Sequence, residues 1–577
     1  MADYRLVDET LDRFEALASD RSFWETHWLD VAKYAIPDID KFDALLGSSV
    51  GRAAAINAMS EPVTPARGRE IYDQTSLMAV DRGANGFLSL VTPQSEKWHG
   101  LKLADPFSEE PSDEEQRWLD KVRDYLHMMR SNPATGFWVA HKAAMRGIWG
   151  LGTSVIFTEG SDRRGNQAPI SYRSTPLSEC YLSCDFEGRV DTNYRLFTLS
   201  ARQMVMKFGA DAVSQKVRDA ANDVKRKDTT FEIIHAVEPR KDGKDGGTVK
   251  DARWRSVYVE RASKHVVGGE EGGFFSFPYI VHHWNRTTQA PYSEGPLSLA
   301  LAEIKSLNML SKQALKAAQQ AVSPAWGTID DGINRLNLNP NAVNPGLVSK
   351  EGRLLAQPIN GGTRPDFAES VLNLKREQIK ETLYVNVWQI LINNPGMTAT
   401  EAMIRANEKG DLLGPAGNSI QVGLSNMIDR EMDILERMGA FRPGSPLEPP
   451  ASMAGQSISV RFTSPLDRLQ MSSELTGAQR VIEVAGILAQ AGKREALDRI
   501  NADEVLDLAQ EVTGAPRRIL RSVEDMQEMR DQAAQAQQMA MLAQLAGQAG
   551  DAGQKVVGGM DAAAQSPALA GMMGGAA

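Results

Sequence analysis

Two cysteines and two adjacent histidines are the side chains whose types first suggest metal chemistry. Cys180 and Cys184 are the only cysteines of the chain, and no second cysteine or histidine pair of matching spacing accompanies them. A structural zinc site normally takes four such ligands, so we interpret them as two reduced thiols in a strand and a turn. His282 and His283 are neighbours, and neighbouring side chains of a strand point to opposite faces. The sequence therefore predicts no metal site and no cofactor.

Catalytic motifs are the second group of candidates. The segment GSSVGR, with Gly47 and Gly51, comes closest to a phosphate-binding loop, but the lysine and hydroxyl residue of such loops do not follow. The zinc motif H-E-x-x-H and the nucleophile motif G-x-S-x-G are both absent from the sequence. We therefore predict no catalytic residue and a structural protein rather than an enzyme. An enzyme acting on nucleic acid is the alternative, and it would need a metal or nucleotide site.

The overall charge restricts the partners of the chain. The 577 residues include 64 lysines and arginines against 74 aspartates and glutamates, a net charge of −10. Tight DNA binding normally needs a basic excess, so the sequence argues against tight or sequence-specific DNA binding, while an acidic or mixed channel that lets DNA slide past is compatible with the sign. No apolar run approaches the roughly 18 residues of a membrane span, and MADYRLVDET at the start lacks a signal-peptide core. We expect a protein of the cytosol, or of a virion assembled there, with no membrane partner.

Two long predicted helices and the excursion between them organise the chain. The first helix is predicted over 296–322 and ends at Ser323 and Pro324, because proline clashes with the preceding helical turn. A helical wheel places an apolar face opposite a stripe of lysines. The face comprises Leu299, Ala300, Leu307, Leu310, Ala314, Ala317, Ala318 and Ala321, and the stripe comprises Lys305, Lys312 and Lys316. Such a face of small apolar residues favours close packing of helices.

The second long helix is predicted over 366–392, after an excursion rich in asparagine, glycine and proline. Asp366 is its predicted N-cap, and its apolar stripe is Leu372, Ile379, Leu383 and Ile390. The sequence NNPGM breaks this helix, and a capping box of Thr398 and Glu401 begins a third helical run. Gly439 is placed to end that run as a left-handed glycine.

The remaining segments predict an α+β fold around these helices. An amphipathic helix is predicted over about 5–35, with Trp24 and Trp28 anchoring it on a core. Between about 150 and 285, segments rich in β-branched and aromatic residues predict strands. ISVRF predicts one more strand, and helices follow to about residue 530. The last stretch, rich in alanine, glutamine, glycine and methionine, is too poor in large apolar residues to build a core.

Five segments match a family of phage proteins in their order and spacing. They are RSFWETHWLDVAKYAIP, IYDQTSLMAVDRGANGFLSLVTPQSEKWHGLKL, CDFEGRVDTNYRLFTLS, YSEGPLSLALAEIKSLNMLSKQALKAA and NNPGMTATEAMIRANEKGDLLGPAGNSIQ. In these segments the chain resembles the portal, or head-to-tail connector, proteins of short-tailed tailed bacteriophages. The resemblance covers roughly residues 5–525 and rests on no single motif.

The resemblance implies a portal fold with an α+β wing, a two-helix stem, a small clip and a helical C-terminal crown. By position it assigns the wing to 1–295 and 399–465 and the two stem helices to 296–322 and 366–392. The clip is the segment between the stem helices, 323–365, and the tunnel loop is 393–398. The crown is assigned to 466–530, and a partly disordered tail follows over 531–577.

The resemblance also implies a ring, a dodecamer in the family, that forms a conduit at one capsid vertex for DNA packaging and ejection. The implied partners are the terminase large subunit, a tail adaptor, capsid and scaffolding proteins, and double-stranded DNA passing non-specifically through the channel. Expected to face the channel are Lys305, Lys312, Lys316, Asn393, Asn394 and Met397. Expected to pack subunits together in the stem are Leu307, Leu310, Ala314, Ala317, Ala318 and Ala321.

Two alternatives remain open at this point. In the first, the stem lysines do not face DNA but pair between subunits with Glu303, Glu377 or Glu381. In the second, the chain is not a portal but another virion structural protein, such as an internal or minor head protein, without a DNA channel.

Overall fold

The computed structural model divides the chain into two compact units, Met1–Ile500 and Asn501–Ala577. The residues that it describes are 2–36, 71–104, 111–161, 169–244, 247–286, 290–328, 337, 343, 348–359, 365–387, 399–453, 456–497, 499–513, 519, 526 and 528–542.

Long helices carry much of the first unit. They are α1 (Ala2–Tyr34), α2 (Thr75–Val91), α3 (Asp113–Ser131), α4 (Phe137–Leu151), α5 (Ala201–Phe208), α6 (Gln215–Asn222), α7 (Pro296–Val322), α8 (Pro365–Thr382), α9 (Ala399–Arg437) and α10 (Pro465–Gln490). Gly439, with φ of +81°, follows α9. The amide of Ala440 donates to the carbonyl of Leu435 and that of Gly439 to the carbonyl of Glu436, which is the Schellman arrangement. The prediction that Gly439 ends this run is confirmed.

The strands of the first unit form antiparallel sheets. They are β1 (His99–Leu103), β2 (Thr153–Gly160), β3 (Ile170–Thr175), β4 (Cys180–Cys184), β5 (Val190–Ser200), β6 (Thr230–Pro239), β7 (Trp254–Glu260), β8 (His265–Phe274), β9 (Tyr279–His283), β10 (Trp326–Thr328), β11 (Ala356–Pro358) and β12 (Ile458–Phe462). The orders are β4-β5-β6-β7-β8, β3-β2-β9, β1-β12 and β10-β11. The α+β prediction is confirmed.

The strand prediction between 150 and 285 is correct except at two places. Strand β8 has the sequence HVVGGEEGGF, whose glycines give no strand signal. Helix α6 also interrupts the strands, held by Ser214, whose hydroxyl accepts from the amide of Val217. Strand β8 pairs with β7, and Val217 and Ala220 of α6 are buried in one cluster with Phe231 and Ile233 of β6, so contacts outside the local segment stabilise both.

The main core lies where α2, α4, α7 and α9 meet the three-stranded sheet. Trp149 and Trp284 are in edge contact, with ring centroids 4.7 Å apart. Trp28 of α1 is fully buried and lies 5.1 Å from the ring of Tyr292. Trp24 stacks on Trp28 at 6.0 Å. The prediction that the two tryptophans anchor α1 on a core is confirmed.

A buried polar network joins α3, β1, β3 and α9. The guanidinium of Arg130 donates from Nε to Oε1 of Glu431 at 3.0 Å, and from Nη2 to Oε2. The hydroxyl of Tyr172 donates to the same carboxylate, and Nη1 of Arg130 lies 2.6 Å from Nε2 of His99. All four side chains are buried. The network ties the C-terminal half of α9 to the body of the unit.

In the second unit the structure describes α11 (Ala502–Thr513) and a helical stretch over 528–542. Arg530 forms an ion pair with Asp503, with 2.8 Å between Nη2 and Oδ1. The helices predicted up to about residue 530 are confirmed at α11 and at 528–530, and the helical stretch continues to 542, into the segment predicted as a partly disordered tail. The residues from 543 onward lie outside the described part. No helix among the described residues has the length and apolar character to cross a membrane.

Candidate stem and channel residues

The root of α7 is fixed by close backbone packing. A Cβ atom on Gly295 would lie 2.6 Å from the carbonyl oxygen of Ile148, and one on Gly152 would lie 2.2 Å from that of Ser293. The amide of Ser293 donates to Oγ1 of Thr153 at 2.8 Å. Pro296 then occupies the first turn of the helix, where its missing N–H group is no loss. These residues set the position from which α7 leaves the sheet.

The face of α7 that the chain buries differs from the predicted one. The buried residues are Pro296, Leu297, Ala300, Leu301, Ile304, Leu307, Asn308 and Ser311. Leu299, at the edge of the predicted face, is 68% exposed. The buried face is therefore rotated by roughly 80° from the predicted one at 100° per residue, and it shares Ala300 and Leu307 with it.

The remaining residues predicted for subunit packing lie toward the C-terminal half of α7. Leu310, Ala314 and Ala317 are half-buried, whereas Ala318 and Ala321 are exposed. The side chains from Lys312 to Val322 are exposed apart from Ala314 and Ala317. Exposed apolar side chains in this half include Leu315 at 52% and Val322 at 88%. This half of the helix thus presents apolar groups that its own chain leaves uncovered.

Asn308 is a structural residue of α7 that the sequence analysis did not single out. Its Oδ1 accepts from the amides of Tyr72 and Asp73 at 3.1 and 3.3 Å, and its Nδ2 donates to the carbonyl of Tyr34 at 3.0 Å. The side chain therefore joins α7 to the end of α1 and to the segment before α2. A signal was present, because Asn308 follows Leu301 and Ile304 at the 3–4 residue spacing of a buried face.

The three stem lysines occupy different surroundings. Nζ of Lys305 lies 2.6 Å from Oδ2 of Asp30 on α1, and Nζ of Lys312 lies 5.2 Å from the ring centroid of Tyr72. Lys316 is exposed. Lys305 thus has an acidic partner within its own chain, and Lys316 is the one of the three that lies furthest toward the C-terminal end of α7.

Helix α8 packs beside α7 through its predicted stripe. Leu372 and Ile379 of α8 are buried, as is Leu383 directly after it, while Ile390 of the predicted stripe lies outside the described residues. Between the two helices Lys375 forms an ion pair with Glu303, while Glu377 pairs with Lys380 at 2.7 Å. Two of the three acidic residues considered as partners of neighbouring subunits thus have partners within the chain.

Asp73 links the segment before α2 to α8. Its Oδ2 accepts from Nε of Arg376 at 2.9 Å, and its Oδ1 accepts from the amide of Thr75. Burial alone would raise the pKa of Asp73, but the hydrogen bonds from Thr75 and the guanidinium of Arg376 outweigh it and hold that pKa below its ordinary value. The carboxylate therefore stays ionised and keeps its partners.

The prediction of one continuous helix over 366–392 is wrong at 383–384, where the helix is interrupted; residues 385–387 are helical again, and 388–392 lie outside the described residues. Helix α8 begins at Pro365, one residue before the predicted N-cap Asp366, and ends at Thr382. Tyr384 follows with φ of +57°, a left-handed conformation that is unfavourable for a bulky side chain. Its ring is in contact with Trp149 and Trp284, at 6.3 and 6.1 Å between centroids. Packing in the core thus holds the break.

The predicted tunnel loop, 393–398, lies outside the described residues, together with its candidates Asn393, Asn394 and Met397 and with Thr398 of the predicted capping box. Of the predicted clip, 323–365, the structure describes the β10–β11 hairpin and the segment 348–359. The described residues contain no group of three histidine, cysteine or acidic side chains arranged to hold a metal ion. Cys180 and Cys184 are free thiols at the two ends of β4.

Comparison with known proteins decides the family. Residues 7–520 match the model of the family described as bacteriophage head to tail connecting protein. The chain belongs to this family. The resemblance to phage portal, or connector, proteins that the sequence predicts is thereby confirmed.

Two relatives agree with this assignment. The chain is 26% identical over 524 residues to the portal protein of Salmonella phage epsilon15, covering 89% of this chain and 88% of that protein. It is also 26% identical over 518 residues to the probable portal protein of Bordetella phage BPP-1, covering 87% of each. Among solved structures, a chain from the virion of a native gene transfer agent particle matches with a TM-score of 0.32 and 13% identity, covering 75% of this chain and 89% of that one. A likeness that weak supports no structural argument.

Proposed function

We propose that this head-to-tail connecting protein is the portal of a phage capsid, a closed ring that serves as the conduit for DNA during packaging and ejection. In this proposal α7 and α8 form the stem, the segment 323–365 forms the clip, and 466–530 form the crown. The wing comprises 1–295 and 399–465. Membership of the family, over 7–520, supports the role of the whole chain.

The observation that carries ring formation is the uncovered C-terminal half of α7. A single chain leaves Leu315 and Val322 exposed there, beside the small residues Ala318 and Ala321. Exposed apolar side chains that lie together on a rigid helix are characteristic of an interaction surface. Packing against the stem of a neighbouring subunit would cover them, and small side chains would let the helices approach closely.

DNA contacts in the channel would be few and non-specific in this proposal. Lys316 is the stem lysine that best suits a passing phosphate, because it is exposed and lies on the projecting half of α7. Lys305 and Lys312 would contribute less, since they lie beside Asp30 and Tyr72. The acidic net charge of −10 agrees with a conduit that does not retain DNA. The loop residues Asn393, Asn394 and Met397 complete the proposed channel lining.

The proposed partners follow from the two ends of a conduit. The clip would dock the terminase large subunit during packaging and then a tail adaptor, while the wing would contact capsid and scaffolding proteins. We propose a dodecamer, located at one vertex of a virion that is assembled in the host cytoplasm, with a structural rather than an enzymatic role.

Stem packing is tested with the double variant Ala318→Glu/Ala321→Glu. Charges buried between stems would oppose assembly, so we expect native mass spectrometry to show subunits or small oligomers in place of the rings of the wild type. Gln319→Glu, on another side of the same exposed turn, is the matched control and should assemble normally. Rings of unchanged size in the double variant would contradict the proposed stem interface.

The channel role is tested by deleting 394–397. We expect rings to form and in vitro DNA packaging to fall at least tenfold, because the proposed tunnel loop is shortened while the stem is intact. Loss of the ring itself would instead make the segment a structural turn.

A further inference from the structure

A cavity of about 480 Å³ lies between α1 and the turn that joins β4 to β5. Its lining includes Trp24 and Tyr292 as aromatic groups and Asp20 and Asp185 as carboxylates. Phe186, at the tip of the turn, also lines the cavity and is 90% exposed. An aromatic lining with carboxylates suits a cationic segment, through charge pairing and cation–π contact.

The arginine in the cavity wall does not neutralise these carboxylates. Nη1 of Arg21 donates to the carbonyls of Leu177 and Cys180 at 3.2 and 2.6 Å, and Nη2 donates to Glu25 at 2.6 Å. Its side chain is buried, and Glu25 already balances its charge. A second cation, Arg286, lies beside the wall, where its Nη2 donates to Sγ of Cys184 at 3.1 Å, so the two lining carboxylates Asp20 and Asp185 still leave a net negative charge.

A basic turn lies elsewhere on the same sheet. Lys225, Arg226 and Lys227 follow Val224 after α6, and all four residues are exposed, Val224 to 80%. The amide of Arg202 donates to the carbonyl of Lys227 at 3.0 Å, which holds this turn beside the start of α5. We refer to residues 224–227 as the basic turn.

The cavity and the basic turn lie at opposite ends of β5. The turn at 185–189 precedes this strand, and α5 follows it directly. Eleven residues of strand span roughly 33 Å at about 3.3 Å per residue. A chain therefore cannot place its basic turn in its own cavity. Two complementary surfaces at opposite ends of one sheet are what a head-to-tail contact between identical subunits requires.

We propose that the cavity beside Phe186 receives the basic turn of a neighbouring copy of this chain. In that contact Val224 packs on Phe186, and the lysine and arginine side chains of the turn pair with Asp20 and Asp185. The inference rests on the proposed ring, and it adds a second contact between subunits in the wing, separate from the stem.

Disulfide cross-linking tests the contact directly. The variant Phe186→Cys/Val224→Cys is made in a Cys184→Ser background, so that the thiols of interest are the two introduced ones and Cys180 stays buried. After mild oxidation, we expect a non-reducing gel to show a ladder of covalent dimers, trimers and larger species. Val139→Cys/Val224→Cys, which uses the 79% exposed Val139 of α4, is the matched control and should remain largely monomeric on the gel.

Charge reversal supplies a second readout. Asp20→Lys added to the cross-linking variant should lower the yield of the ladder at least fivefold at low salt, and Lys225→Asp on the same chain should restore it. Restoration would support the pairing of cavity and turn, because Asp20→Lys alone places like charges at the contact and Lys225→Asp returns opposite charges to it.

The outcomes separate this contact from the ring itself. Closed rings in the electron microscope without a ladder would overturn the wing contact and leave the proposed ring intact. Monomers that neither form rings nor cross-link would overturn both. A ladder of equal yield in the Val139 control would also overturn the contact, because it would show non-specific collision.

Discussion

At the scale of single residues, the buried pair of Arg130 and Glu431 is the strongest electrostatic feature of the described structure. Both side chains are at most 1% exposed, and Tyr172 and His99 complete their hydrogen bonding. A buried ion pair adds little over an apolar pair, but removing one partner leaves the other charge unpaired. The network therefore specifies how α9 docks more than it adds stability.

Glu431→Ala should lower the free energy of unfolding by about 3–5 kcal/mol, because it leaves the guanidinium of Arg130 buried without its counter-charge. Chemical denaturation followed by circular dichroism measures this change. Glu9→Ala, which removes the exposed pair with Arg5, is the control and should change it by less than about 1 kcal/mol. Equal effects of the two substitutions would show that the network is not structurally important.

Five buried histidines, His99, His141, His235, His282 and His283, give the fold a predictable pH dependence, because burial lowers the pKa of each. Burial lowers the pKa of His141 and of His283 to about 3 and that of His282 to about 4. The unfolded chain binds a proton at each histidine near pH 6.5. Their contribution to stability is therefore fully present above pH 6.5 and is lost as the pH falls toward the folded values.

We expect the urea midpoint of the wild type to fall between pH 7.5 and pH 5.5, a range in which most carboxylates stay ionised. Each buried histidine contributes up to about 1.4 kcal/mol of lost stability per pH unit below 6.5. The variant His283→Gln should show a smaller fall over the same range. A midpoint in the wild type that does not change with pH would contradict burial of these rings.

At the scale of elements, α9 docks on the three-stranded sheet through a glycine. A Cβ atom at Gly423 would lie 2.3 Å from Nδ1 of His282 and 2.9 Å from the carbonyl oxygen of Val281. The missing side chain lets the helix approach β9. Close approach at this point explains why a residue with poor helix propensity occupies the middle of α9.

Gly423→Ala should destabilise the protein by about 1–3 kcal/mol, because the methyl group forces the helix away from β9. Gly477→Ala in α10 is the matched control, since a Cβ atom there meets nothing within 4 Å. That substitution should stabilise the protein by up to about 1 kcal/mol through helix propensity. Thermal unfolding measures the midpoint temperature of each variant relative to the wild type. We expect a lower midpoint for Gly423→Ala and an equal or higher one for Gly477→Ala, and a higher midpoint in both would contradict the close contact.

The elements that the sequence predicts well are those with local signals at their ends. Helix α7 runs over 296–322 as predicted, because Pro296 and Pro324 mark its limits. Its buried side was predicted incorrectly. Two sides of α7 are apolar on a helical wheel, and the contacts with α1 and α8 determine which of them is buried. The break at Tyr384 has no local glycine or proline, and it depends on Trp149 and Trp284, which are distant in sequence. The sequence also did not predict that the C-terminal half of α7 is exposed, because the periodicity of apolar residues does not show where a helix leaves its core.

At the scale of the whole molecule, we propose that copies of this chain close into a ring. The family over residues 7–520 and the uncovered half of α7 support it from independent observations. A ring needs heterologous contacts that close, and the proposed wing contact joins different surfaces of neighbouring subunits.

Negative-stain electron microscopy of the purified protein, with class averages of end-on views, tests this claim most directly. We expect closed rings with a central hole, and twelve-fold symmetry where the averages resolve it. Monomers over a range of salt and protein concentrations, or open filaments without closure, would contradict it.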